Sequence, residues 1–410
     1  MTTKATAGRG NFNEVSAASE ARGLTDGVRL ATMLDPREDR PNKKGNEDGN
    51  GDDDASVIMP VVGFGTYRLG EKQVECATLK AIETGYRCID TAFIYGGEKT
   101  ERLVGQAIRT ALKIGIIKDR DEVFVTTKHW RKYHGYEESL QCLELSLKRL
   151  GVDYVDLWLM HWPGPAYSTM NRRKDVVEED RWHYATTAEG DMAQVRSETW
   201  RAMEDAHRNG KARAIGVSNM TVQHLKALKE RASIWPPAVN QVEMHPLYPQ
   251  TELLEYCRRE GIVVQAYSSL GGQDTGKAEW NRILGVSSQS VPSVTPDGKK
   301  EKMKKVVKHD LLHARPVANL AAEVGATPAQ ILLRWALERD CAVIPKTESP
   351  ERMDENADLF SFRLLKGQVD QLQESLLEMA RGNNPDRKDD IESVTRLAWR
   401  RDPLRQLDFD

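Results

Sequence analysis

No run of this chain is apolar and long enough to cross a bilayer as a helix, so a membrane-spanning role is not expected. The opening residues, MTTKATAGRG, lack the apolar core of a secretory signal, and Glu14 and Glu20 count against a transit peptide. Cysteine is sparse. The five present (Cys76, Cys88, Cys142, Cys257, Cys341) are odd in number and never spaced CxxC. That excludes a zinc ribbon and a disulfide framework and fits a reduced compartment, so a cytoplasmic location is expected. Neither sign of charge dominates, with 59 basic against 62 acidic residues, so nucleic acid and anionic membrane are not expected partners. A dinucleotide-binding GxGxxG is missing as well: Gly63-Phe64-Gly65 runs straight into Thr66-Tyr67 with no third glycine.

What the chain has instead is regular alternation. Residues 1 to about 55 are expected to be mostly disordered, because NKKGNEDGNGDDDA is polar, rich in glycine and almost without apolar side chains. Beyond it come eight short apolar runs that read as strands: Val61–Thr66, Cys88–Thr91, Val123–Thr127, Val155–Met160, Ala214–Ser218, Val239–Val242, Val263–Tyr267 and Ala342–Pro345. Between them apolar residues recur at three- and four-residue spacing, as in Leu140, Leu143, Leu147 and Leu150, which reads as helix. Gly85, Gly115, Gly151, Gly210, Gly261 and Gly325 stand where a helix needs a left-handed stop, and Thr327-Pro328 reads as N-cap and first-turn proline. Eight β/α units over about 300 residues predict an α/β fold of the (β/α)8 TIM-barrel type, spanning 56–365 with a tail over 366–410. A doubly wound sheet is the runner-up, disfavoured by the absent glycine motif. Two connections are long, Trp162 to about Val195 and Ser268 to about His313; both follow strands and so belong to the C-terminal face, as substrate walls or cofactor clamps.

Four chemically unlike side chains sit at the ends of successive strands: Asp90 and Tyr95 in CIDTAFIY, Lys128 in EVFVTTKHW and His161 in VDLWLMHWP. Catalytic groups of such barrels come from these ends. A tyrosine, with a pKa of about 10, is a poor acid near neutrality unless a neighbouring ammonium favours its phenolate. Lys128 is expected to provide that, with Asp90 keeping the lysine charged and His161 orienting a carbonyl oxygen. The set suits protonation of an oxyanion formed when hydride reaches a carbonyl carbon, and hydride requires a nicotinamide.

At this point the chain resembles the aldo-keto reductase family from about Met59 to Phe362. The resemblance rests on GFGTYR (63–68), GYRCIDTAFIYG (85–96), VTTKHW (125–130), DLWLMHWP (156–163), ARAIGVSNM (212–220), NQVEMHPLYPQTELLEYCRREGI (240–262), AYSSLG (266–271) and VIPKTESPERMDEN (343–356), in that order. It implies a monomeric barrel that reduces a small carbonyl substrate with NADPH. It implies Asp90, Tyr95, Lys128 and His161 as the catalytic tetrad, with Tyr95 the general acid. Gly65 and Thr66 would border the cofactor; Ser218, Asn219 and Gln241 would hold the nicotinamide carboxamide and Tyr267 would stack on its ring. Ser268 and Leu270 would follow the pyrophosphate, with Asp274 clasping Lys346. Lys346, Thr347 and Arg352 would grip the phosphate on the adenosine ribose, with Glu355 and Asn356 near the adenine. A lysine, a hydroxyl and an arginine also suit a phosphate dianion on chemical grounds alone, which favours NADPH over NADH. Tyr67, Trp130, His161 and Trp162 would wall the substrate.

The chain departs from the family pattern just after Tyr95. About three extra residues precede Val104-Gly105, and the usual asparagine is replaced by Gly97 or Thr100. The basic run KKEKMKKVVKH (299–309) lengthens the loop after Tyr267 and reads as a solvated face or a lid on the phosphates. Val28–Leu30 reads as half of a hairpin closing the barrel bottom. Two other readings stand beside the reductase: a non-catalytic, NADPH-sensing subunit on the same barrel, and a metal-dependent hydrolase built on Glu243 and His245. The second is disfavoured by the lack of another cluster at ligand spacing, so no metal is expected.

Overall fold

The computed structural model describes residues 13–15, 17–30, 57–97, 99–164, 192–272, 280, 283–284, 293–294, 300–301, 310–384 and 386. Asp274, most of the basic run, the acidic stretch before residue 57 and the tail after 386 lie outside the described residues.

An N-terminal sheet of β1 (Asn13–Val15), β2 (Asp26–Arg29) and β3 (Ile58–Pro60) comes first, in the order β1-β2-β3. Val28 faces Met59 in an antiparallel ladder, so the hairpin expected around Val28–Leu30 is formed. Residues 17–30, within the segment expected to be mostly disordered, pack against the barrel. Ala18, Ala21, Val28 and Leu30 are buried, and Arg334 donates to the Ser19 carbonyl at 3.3 Å. These four apolar side chains in fourteen residues dock this piece on the barrel.

The main sheet holds eight parallel strands: β4 (Phe64–Gly65), β5 (Cys88–Asp90), β6 (Phe124–His129), β7 (Val155–Met160), β8 (Ala212–Ser218), β9 (Val239–Glu243), β10 (Val263–Tyr267) and, after the small pair β11 (Ser293–Val294) and β12 (Lys300–Glu301), β13 (Cys341–Val343). Each pairs with the next in the chain. The ends meet. Val62 bridges Val343 in parallel, with Gly63 N to Val343 O and Val343 N to Val61 O both at 2.8 Å, closing the expected (β/α)8 barrel. This closure accounts for the shortened first strand: residues 61–63 turn to the last strand, and only Phe64–Gly65 remain on β5. Helices α1 (Glu71–Thr84), α2 (Lys99–Lys113), α3 (Tyr136–Leu150), α4 (Met192–Arg208), α5 (Val222–Lys229), α6 (Thr251–Glu260), α7 (Arg315–Val324), α8 (Pro328–Leu337), α9 (Pro350–Ala357) and α10 (Lys366–Gly382) follow in turn. Thr327 and Gln330 form the reciprocal cap of α8.

Two devices fix the layers. Asp156, buried at the start of β7, accepts from Arg120 at 2.9 Å, Arg213 at 2.8 Å and the Val125 amide at 2.8 Å, tying β6, β7 and β8 at the barrel floor. Gly105 lets α2 press onto the end of α3, since a Cβ there would lie 1.9 Å from the Leu150 carbonyl oxygen.

Candidate active site

The residues singled out at the strand ends converge. Lys128, fully buried, donates to Asp90 Oδ1 at 2.6 Å, to the Thr91 carbonyl at 2.9 Å and to the Tyr95 hydroxyl at 3.2 Å. Tyr95 lies edge-on to the His161 ring, centroids 6.0 Å apart, and against Tyr67 at 5.0 Å. Alternation along β6 turns Lys128 inward and its neighbours Thr127 and His129 outward, and the turn after β5 brings Tyr95 back over it.

The electrostatics differ from the sequence expectation in one respect. Lys128 was expected to lower the Tyr95 pKa. Instead burial holds the phenol well above its ordinary value, with the charge of Asp90 and the neighbouring Tyr67 and Tyr267 adding to the rise. Asp90 lies close enough to offset most of the lysine's field, and desolvation then decides the sign. Burial also lowers Lys128, against the opposing pull of Asp90, and drives His161 well below the usual imidazole range, with Lys128, Arg131 and His129 pushing the same way. At neutral pH the site therefore presents a protonated phenol and a neutral imidazole.

A cleft opens over these groups, lined by Gly65, Tyr67, Asp90, Tyr95, His161, Ser218, Asn219, Gln241, Tyr267, Ser268, Leu270, Lys346 and Arg352 of the expected set. The amide-bearing residues are already interlocked. Gln241 Nε2 donates to Asp90 Oδ2 at 2.8 Å and to Gln265 Oε1 at 2.7 Å, Asn219 Nδ2 to the His161 carbonyl at 2.9 Å, and the Tyr267 hydroxyl to Asn219 Oδ1 at 2.7 Å. Both side-chain amide hydrogens of Gln241 are thereby used. At the far end Lys346 is half-buried; burial lowers its pKa first, then the positive charges of Arg352 and Arg68, with Glu348 opposing. Three cations gathered at this end of the cleft suit an anion such as a ribose phosphate, with Glu348 only partly offsetting them. The residues present thus fit a phosphorylated nicotinamide dinucleotide.

Several expected residues are not in the lining. Thr66 is buried and donates to the Asp90 carbonyl at 2.9 Å, holding the end of β5 from behind. Thr347 and Asn356 are buried, and Glu355 accepts from Thr327 at 2.5 Å. Trp130 packs edge-on to His161 at 5.9 Å, at the rim. Trp162 is buried beneath Arg131, whose guanidinium lies 5.2 Å from its ring centroid; it backs the His161 ring and does not border the cleft. Conversely Ile344, Pro345, Leu312, Leu333 and Asp310 line the cleft and had no signal beyond their strand, helix or loop position. Glu243 and His245, the hydrolase candidates, are buried and bonded to each other at 3.1 Å, and among the described residues no group of three or more such side chains could hold a metal.

A model described as the aldo/keto reductase family matches residues 61–377. D-galacturonate reductase of Fragaria ananassa is 35% identical over 320 residues, which cover 77% of this chain and 86% of that protein. Glycerol 2-dehydrogenase (NADP(+)) of Saccharomyces cerevisiae is 35% identical over 312 residues, 74% of this chain and 83% of its own. Among solved structures, a Bombyx mori aldo-keto reductase in complex with NADP superposes with a TM-score of 0.59 at 30% identity, covering 77% of this chain and 89% of that one.

Proposed function

This chain belongs to the aldo/keto reductase family, and from that premise we propose that it reduces an aldehyde or ketone to the alcohol, Tyr95 giving its proton to the carbonyl oxygen. NADPH, when bound, supplies the hydride. The rest falls to this chain. Tyr95 keeps its proton until the oxygen becomes basic, because burial disfavours the phenolate. As the O–H bond breaks, the developing phenolate lies 3.2 Å from the Lys128 ammonium, which Asp90 holds in direction at 2.6 Å. His161, neutral through burial, donates a hydrogen bond to the same substrate oxygen. Gln241 links the cofactor end to the acid end, since its amide bonds Asp90 directly.

The observation that carries the reading is a buried ammonium within bonding distance of both a carboxylate and a phenol that line the cleft. Nothing among the described residues favours the NADPH-sensing alternative, because the tetrad is complete. The test is Tyr95→Phe. The variant is expected to bind NADPH as before, measured by quenching of protein fluorescence, while turnover of an aldehyde panel falls by about 10²- to 10⁴-fold, the range of a positioned general acid. Wild-type turnover in the variant would remove Tyr95 from the donor role.

A further inference from the structure

Glu101 takes no part in the chemistry proposed above, yet it is fully buried on α2, six residues after Tyr95. Its carboxylate accepts from Thr127 Oγ1 at 2.6 Å, and Thr127 immediately precedes Lys128 on β6. On its other side Arg149 of α3 approaches at 3.4 Å. The Arg149 guanidinium in turn lies 4.0 Å from the ring centroid of Phe93, two residues before Tyr95, and the Phe93 amide donates to the Lys128 carbonyl at 3.3 Å. One carboxylate outside the barrel wall is therefore connected to the strand that carries the ammonium and, through Arg149 and Phe93, to the turn that carries the phenol.

The connection matters because Gly96 and Gly97, both in the left-handed region at φ 58° and 66°, follow Tyr95 and bring no side chains to hold it. This is the place where the chain is longer than the family pattern. Burying a carboxylate is costly unless it is bonded on several sides, and burial raises the Glu101 pKa while Thr127, Ser146 and Arg149 oppose the rise.

We infer that Glu101 is a positioning residue that sets the separation of the Tyr95 hydroxyl from the Lys128 ammonium by bracing β6 and the Phe93–Tyr95 turn against one carboxylate. The inference rests on reading Tyr95 as the proton donor. Glu101→Gln keeps an acceptor for Thr127 and removes the charge opposite Arg149. In the full-length protein it is expected to lower kcat by roughly ten- to a hundredfold, the scale of a misplaced reacting group. NADPH affinity by fluorescence titration should be unchanged, and the alkaline limb of the kcat profile should move, because the distance of the phenol from the Lys128–Asp90 pair sets how readily it ionises. Thr127→Val, which breaks the strand-side bond alone, should move kcat and the limb in the same directions, and it carries the test if Glu101→Gln does not fold. Wild-type kcat and pH profile in a folded variant would overturn the inference. So would a fall in kcat that tracks thermal stability with the profile unmoved. Tyr95→Phe in the same assay separates the two claims: if it retains turnover, the donor reading fails; if it is inactive while Glu101→Gln is normal, only the positioning role fails.

Discussion

Three histidines sit buried behind and beside the cleft, and their protonation should govern how the protein tolerates acid. His129 and His134 meet at ring centroids 4.7 Å apart, His129 also faces Trp158 at 6.4 Å, and His161 stands at the cleft floor. Burial pushes His129 down to about 4 and holds His134 and His161 well below the ordinary imidazole value. The unfolded chain titrates near pH 6.5, so below that pH it takes up protons that the folded protein refuses. Stability from these groups is therefore complete above about pH 6.5 and is lost as the pH falls toward the lowered folded values. For His129, whose folded value is about 4, pH 5 lies about 1.5 units below the unfolded pKa, a cost of about 2 kcal/mol, and His134 and His161 act in the same direction. That is a sizeable part of the stability of an ordinary domain, about 5–15 kcal/mol. The informative perturbation is His129→Leu, which keeps an apolar filler beside Trp158 and deletes one titrating group. Urea unfolding at pH 7 and pH 5, at constant ionic strength, should show the variant losing about 2 kcal/mol less than the wild type between the two conditions. Carboxylates titrate in both proteins and cancel in the difference. An equal loss in variant and wild type would refute the assignment of acid sensitivity to the buried neutral imidazole.

Lys346→Ala should weaken NADPH binding by about ten- to a hundredfold, the worth of a hydrogen bond to a charged group, while leaving NADH binding nearly unchanged in a fluorescence titration. Equal losses for the two cofactors would show that Lys346 holds something other than the ribose phosphate. Gly105→Ala places a methyl against the Leu150 carbonyl oxygen and should cost about 3 kcal/mol by forcing α2 off α3, read from the urea midpoint; a wild-type midpoint would mean that the two helices separate freely.

The order of strands, most of their boundaries and the glycine stops were readable because barrel strands and helices carry different apolar periods, and because left-handed helix ends select glycine at Gly85, Gly151, Gly261 and Gly325. The four polar residues at strand ends were readable for the same reason: position along a strand tells which end of the barrel a side chain occupies. Other features were not. Trp162 and His161 are neighbours in the chain, yet one borders the cleft and the other lies buried beneath Arg131. Residues 17–30 look too polar to fold until four small apolar side chains find the barrel surface. Glu101 reads as an ordinary helical carboxylate, and only the pressing of α2 onto β6 and α3 shows that it is buried.

The sequence by itself determined that Asp90, Tyr95, Lys128 and His161 gather at one end of the barrel, because residue type and strand period are local properties. Only the tertiary structure decided what those groups are electrically. Desolvation and the distance between Asp90, Lys128 and Tyr95 depend on segments tens of residues apart closing on one another, and those two quantities set the sign of every pKa shift in the site.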